Sequence, residues 1–366
     1  MKLSQFKKRP MSKEIYISPQ GSDGNPGSLK LPLKTLKRAK EVISQSGVLG
    51  NSEVNVILRE GTYYLEKPLS FSASDSGTNT QPVTFSSHHD EKVIISGGSK
   101  LDLKWSPFKD GIWKAETPAG CEMDQLFING KRQHMARYPN FNANIKPYGG
   151  YASDAFSSKR AKKWKDPTGG YIHAIHSAHW GGYHYQITGE NADGSIAYEG
   201  GWQNNRQMGM HEEYRFVENI FEELDSPEEW YHDKKNNTLY YFPTEATDLT
   251  RATVEIARLP HLIEFSGTEA DSVKHIHLKG LIFRHSSRTF MLTKEPLLRS
   301  DWSIYRGGAI RYEGAEDCSI ENCEFDQMGG NAVFVNQFNR NLKFTGCHIH
   351  GAGASGVCFV GSPASV

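Results

Sequence analysis

Asp326 and His350 are the side chains whose types and spacing first suggest proton chemistry. They lie 24 residues apart (350 − 326), on neighbouring copies of one repeated pattern. A carboxylate and an imidazole on adjacent turns can assist proton transfer or bind hydroxyl groups. The same turn contributes Gln327, Asn331 and Ser355. The plainer alternative is that Asp326 and Asn331 hydrogen-bond the turn backbone. Asn331 fits that role better, and His350 fits either. Glu324 sits between Cys323 and Phe325, both expected to point inward, so it is expected to face outward from a different strand than Asp326. The two acids are therefore not expected to pair.

Two further groups carry binding chemistry. The turn of an earlier copy is enlarged, from Arg284 to about Gly308, and holds Lys294, Glu295, Arg299, Asp301, Trp302, Tyr305 and Arg306. Long loops beside a structured face often carry recognition residues. Four histidines then fall within residues 173–184: His173, His176, His179 and His184. Imidazole is a common metal ligand, but no His-Glu-x-x-His pattern accompanies them, so an aromatic-rich strand and loop is expected and no metal or cofactor. His179, Trp180 and His184 stand as surface contacts, with Arg137 beside them. Arg311 joins the binding candidates from the coil itself.

The elements that must position these residues repeat. Cys318-Ser-Ile320-Glu-Asn322-Cys323-Glu-Phe325 recurs as Leu342-Lys-Phe344-Thr-Gly346-Cys347-His-Ile349, a shift of 24 (347 − 323). An earlier copy is Ile276-His-Leu278-Lys-Gly280-Leu281-Ile-Phe283. A fixed period of this size signals stacked units that cannot bury their apolar faces alone. Apolar residues alternate, break step at Asn322, Gly346 or Gly280, then alternate again. That is two short strands meeting at a corner where Asn or Gly takes a left-handed backbone. The pattern is the signature of a parallel β-helix. Its ladder places Ile310, Val333 and Val357 inward and turns Arg311, Phe334 and Cys358 outward.

Bulk numbers agree with a β-rich chain. Of 366 residues only 37% are hydrophobic, while Gly reaches 35 and aromatics 11%, which suits many corners better than a helical bundle. Lys+Arg and Asp+Glu balance at 42 each, so neither nucleic acid nor an anionic membrane is an expected partner. No apolar run is long enough to span a bilayer, and no signal peptide is recognisable. The odd count of five cysteines argues against a disulfide framework, and Cys323 and Cys347 are expected to stack in the core.

Along the chain, residues 1–12 read as a disordered basic tip, and 13–100 as a cap and first coils. The cap is a helix over Pro32 to Ile43, covering the open apolar end. From 101 to 258 hairpin signals replace the coil rhythm, among them Asn129-Gly130, and an inserted antiparallel, sandwich-like β domain is expected. Coils resume over 259–366.

Three stretches extend this reading. Tyr16-Ile-Ser-Pro-Gln-Gly-Ser-Asp-Gly-Asn-Pro-Gly27, Leu58-Arg-Glu-Gly-Thr-Tyr-Tyr64 and Asp124-Gln-Leu-Phe-Ile-Asn-Gly-Lys-Arg-Gln133 with Met135-Ala-Arg-Tyr-Pro139 resemble bacterial right-handed parallel β-helix glycoside hydrolases, of which glycoside hydrolase family 141 is similar. The resemblance implies an α-L-fucoside or xylan class of polysaccharide or oligosaccharide substrate, a monomer, and a periplasmic or extracellular place, with the cytoplasm as alternative. It also implies catalytic carboxylates in later coils, past Val366, so that this chain alone is expected to lack turnover. The alternatives are a non-catalytic glycan-binding β-helix and a polysaccharide lyase, for which Arg311 and Asp326 are the near matches.

Overall fold

The computed structural model describes residues 12–206, 208–297 and 302–362. Lys7, Lys8 and Arg9 of the basic tip, and Arg299 and Asp301 of the enlarged turn, lie outside the described residues. The chain divides into two compact units. The first comprises the described residues up to Gly98, then Leu259–Ser286 and everything from Arg306 onward; the second comprises Ser99–Arg258 and Ser287–Tyr305. The enlarged turn, placed by sequence within the coils, thus belongs to the second unit.

The first unit is a stack of coils with three parallel sheets. One sheet runs Lys13–Ile17, Val54–Leu58, Val83–Ser87, Ile276–Lys279, Ser319–Glu321 and Lys343–Thr345. The second runs Gly61–Tyr64, Val93–Ser96, Ile282–Arg284, Glu324–Asp326 and His348–His350. The third runs Leu69–Phe71, Ile263–Ser266, Ile310–Glu316, Val333–Arg340 and Val357–Val360. Register follows the sequence repeat: Ile320 pairs with Phe344, Phe325 with Ile349, and Val333 with Val357. The corners at Gly280, Asn322 and Gly346 have φ of 66°, 51° and 64°, the left-handed region in which a larger side chain is strained.

Inward residues stack coil on coil. Phe283 lies over Phe325 with centroids 5.0 Å apart, and Phe265 over Tyr312 at 4.2 Å. Cys323 is buried in this stack and Cys347 packs against it, both as free thiols. Burial pushes the Cys323 thiol up to about 12, so it behaves as a small apolar group. Phe334 alternates outward from the coil, as expected, but is only 1% exposed.

The helix Leu36–Gln45 buries Leu36, Ala39 and Ile43 in the same core as the first strands. Its N-cap, Thr35, accepts a hydrogen bond from the Arg38 amide at 3.0 Å, and Asp23 accepts from Thr35 Oγ1 at 2.9 Å. Thr35→Ala removes both bonds and is expected to cost about 1 kcal/mol. A urea midpoint indistinguishable from wild type would contradict this.

The insert interrupts the coil between Val93–Ser96 and Ile263–Ser266, yet Ile263 pairs directly with Leu69. In the next coil the enlarged turn leaves from the equivalent corner, between Ile282–Arg284 and Ile310–Glu316. The second unit is built mainly of antiparallel pairs. Leu126–Ile128 returns as Lys131–Arg132 through Asn129 (φ 51°) and Gly130 (φ 75°), the tight turn that the Asn-Gly pair predicts. Gly182–Glu190 with Ile196–Gly200, and Glu229–Asp233 with Thr238–Tyr241, form the other expected hairpins.

Candidate functional site

Alternation in the second coil sheet decides what its outer face carries. With Phe283, Phe325 and Ile349 inside, Arg284, Asp326 and His350 stand outward in register on three successive coils. Glu324 is two residues before Asp326 on the same strand and therefore on the same face. This corrects the expectation that the two acids leave from different strands: Asp326 closes the strand instead of belonging to the turn. His350 Nε2 lies 3.1 Å from Glu324 Oε1, and its Nδ1 lies 3.5 Å from Asp326 Oδ1. Arg284 binds the opposite side of Asp326 at 2.7 Å, and the Gln327 amide donates to it at 3.0 Å.

The group is graded in exposure. Asp326 is only 9% exposed and locked between guanidinium and imidazole, while Glu324 and His350 are 35% and 40% exposed. Asp326 is thus a fixed anchor, and Glu324 and His350 are the groups that can meet a ligand and exchange a proton. Each of the three offers a ligand atom within 4.8 Å of the others', a spacing a cation could use. Arg284 already provides positive charge there.

On the third sheet, Arg311 pairs with Glu313, which also accepts from Asn336 Nδ2 at 2.8 Å. Arg306 donates to Asn336 Oδ1 at 2.7 Å. These bonds order one wall of a hollow of about 450 Å3 that Ser72, Thr268 and Asp271 complete. Asn331 takes the plainer of its two roles: its amide donates to Gly307 O at 2.9 Å, and its oxygen accepts from the Ser355 amide at 3.0 Å.

The coil unit has relatives. A family description, right handed beta helix region, matches residues 274–366. A solved structure described as a glycoside hydrolase superposes with a TM-score of 0.71, covering 93% of this chain and 74% of that one at 20% identity. The stack is a right-handed parallel β-helix. Among curated proteins, the β-helix chain is 26% identical over 238 residues to pectate lyase PEL9 of Emericella nidulans, covering 60% of this chain and 50% of that one. It is also 36% identical over 91 residues to the uncharacterized protein YwoF of Bacillus subtilis (strain 168), 25% of this chain and 17% of that protein. The β-helix chain therefore spans half or less of the length of the curated relatives it matches. No helix among the described residues is long and apolar enough to cross a membrane.

The second unit holds a buried polar chain that sequence reasoning did not assemble. Arg288 Nη1 donates to Glu218 Oε1 at 2.5 Å, and the Arg288 amide donates to Asp124 Oδ2 at 2.7 Å. His173 Nε2 lies 3.1 Å from Glu218, and its Nδ1 lies 2.6 Å from His184 Nδ1. Burial lowers both imidazoles below their ordinary value, so both are neutral. His173 must then donate from Nε2 to the carboxylate, which leaves its Nδ1 to accept from His184. Burial works against the Glu218 carboxylate, but the Arg288 charge and His173 outweigh it and hold the carboxyl below its ordinary value. Glu229 is the contrast: burial dominates and pushes its carboxyl up to about 8, and its Oε1 has no hydrogen-bond partner among the described residues.

Two expected surface contacts are committed within the second unit instead. His184 is half-buried and committed to His173. Arg137 is 4% exposed and donates to the carbonyls of Pro139, Tyr148 and Gly150 at 2.9, 3.0 and 3.1 Å, with its guanidinium 4.1 Å from the Phe216 centroid. All three nitrogens hold the loop, so Arg137 is a structural clamp.

Other candidates do face solvent. Trp180 and Trp302 are 47% and 46% exposed, and the Trp302 ring lies where a Cβ on Gly181 would sit, 2.4 Å away. His179 is exposed with a φ of 62°, Lys294 lies 3.9 Å over the Trp202 ring, and Glu295 pairs with Ile304 in a short antiparallel ladder. Tyr305 is half-buried at the end of that segment. Trp180, Trp202 and Trp302 offer flat indole faces of the kind that pack on sugar C–H groups.

Proposed function

We propose that this protein acts on polysaccharide or oligosaccharide by hydrolysing glycosidic bonds, in the α-L-fucoside or xylan class that the likeness to glycoside hydrolase family 141 suggests. The observation that carries the reading is the placement of Glu324 and Asp326 on one outer face, with His350 between them. Hydrolysis of this kind uses two carboxyl groups, about 5–5.5 Å apart in retaining enzymes and about 6.5–9.5 Å apart in inverting ones. Glu324 serves as the exposed acid and base, and Asp326, held by Arg284, as the carboxylate that fixes His350 beside it. A monomer working outside the cytoplasm accords with such a substrate.

The likeness to a pectate lyase over 60% of the chain favours β-elimination as a second reading. One assay separates the two. The protein is incubated with an aryl α-L-fucoside, xylan and polygalacturonate, and reducing ends and ultraviolet-absorbing unsaturated ends are followed together. Reducing ends without the chromophore are expected. Unsaturated ends would replace hydrolysis by the lyase reading, and binding without cleavage would leave a glycan-binding β-helix.

A further inference from the structure

A hollow wholly within the second unit belongs to no part of the chemistry above. It is a cleft of about 780 Å3, inside the range of about 300–1,000 Å3 usual for small-molecule sites. Its wall combines Tyr171, Phe221, Tyr231 and Tyr240 with five carboxylates and four Lys or Arg side chains. Phe221 packs edge-on against Tyr231 and Tyr240, with centroids 5.4 and 5.0 Å apart, so the three rings form one continuous aromatic patch.

Three phenol donors of this wall are unspent. The hydroxyls of Tyr171, Tyr231 and Tyr240 make no hydrogen bond among the described residues, and burial, reinforced by nearby acids at each, pushes their ionisation up. Two cations on the wall are held only by exposed ion pairs. Lys235 with Asp166 and Lys234 with Glu122 are exposed ion pairs, worth little in water and displaced at small cost. Unpaired phenols, aromatic faces and exchangeable carboxylate–ammonium pairs together match a ligand rich in hydroxyls with apolar C–H faces. Carboxylates and cations nearly balance on the wall, five against four, so no net positive charge draws a polyanion.

We propose that this cleft is a binding site for a neutral oligosaccharide, remote in sequence from the coil carboxylates. The proposal rests on the carbohydrate reading and narrows it to uncharged sugars.

The test is calorimetric titration of the full chain with xylohexaose, a fucosylated xyloglucan oligosaccharide and hexagalacturonate. At least one neutral probe is expected to bind, and hexagalacturonate to bind roughly tenfold more weakly. The double variant Tyr231→Phe, Tyr240→Phe keeps the rings and removes the hydroxyls, and should weaken neutral binding roughly tenfold. Tyr240→Ala, which also removes a ring, should weaken it at least as much. Neutral binding unchanged in both variants would overturn the cleft assignment and leave the carbohydrate reading standing. Tighter binding of hexagalacturonate would overturn the neutral class. No binding and no cleavage of any saccharide would remove both.

Discussion

Glu324→Gln is expected to lower turnover of the cleaved glycoside by about 100- to 10,000-fold, the usual contribution of a positioned proton donor. The substitution keeps shape and a hydrogen bond to His350, so the coil should melt as wild type does. Asp326→Asn should also lose turnover, but with a drop in melting temperature, because Arg284 then lacks its carboxylate on a 9% exposed site. That difference distinguishes the exchanging acid from the anchor. Steady-state kinetics with parallel melting curves check both, and a full rate in Glu324→Gln would move the chemistry to another carboxylate.

The second large effect is a loss of stability with rising pH that Glu229 imposes. In the unfolded chain its carboxyl ionises near 4.5, whereas in the folded protein it holds its proton up to about 8. Between those values the unfolded state binds fewer protons, so unfolding becomes easier as pH rises, by about 1.4 kcal/mol per unit. The penalty is absent below pH 4.5 and complete above 8, and reaches several kcal/mol. Glu229→Gln keeps the amide-facing oxygen that accepts from Asp225 and Ser226 and removes the ionisation. Denaturant midpoints from pH 5 to 9 should fall more steeply for wild type than for the variant. His134, His173, His184 and His232, all lowered by burial, act in the opposite sense at the acid end and cancel in the comparison. Parallel profiles would contradict the account.

The coil was legible because its chemistry is local. Alternation around Asn322, Gly280 and Gly346 specifies strand, corner and strand within eight residues, and the 24-residue register is carried by the inward side chains alone. The shared strand of Glu324 and Asp326 escapes sequence reading because Glu324–Asp326 is only three residues long. So short a strand shows too little alternation to separate its last residue from the following turn. Arg284 was missed because the enlarged turn separates it from its Asp326 partner by more than the repeat interval. Arg137 misled for another reason. A buried guanidinium bound to carbonyls has the same sequence signature as one bound to a ligand, and its three acceptors lie in a loop without periodicity. The Asp124–Arg288–Glu218–His173–His184 chain joins segments that no repeat relates.

The corner shared by the insert and the enlarged turn has a consequence for synthesis. Leu69–Phe71 finds its neighbour in Ile263–Ser266, and 192 residues (263 − 71) separate the facing ends. At about 5–20 residues per second, the ribosome leaves that strand edge open for roughly 10–40 s. During this time the intervening β unit can emerge and fold as a body before the coil closes. Growth of the solenoid past its third turn therefore waits on a timer set by the length of the insert, and a chaperone or a slow stretch of codons would find its target there.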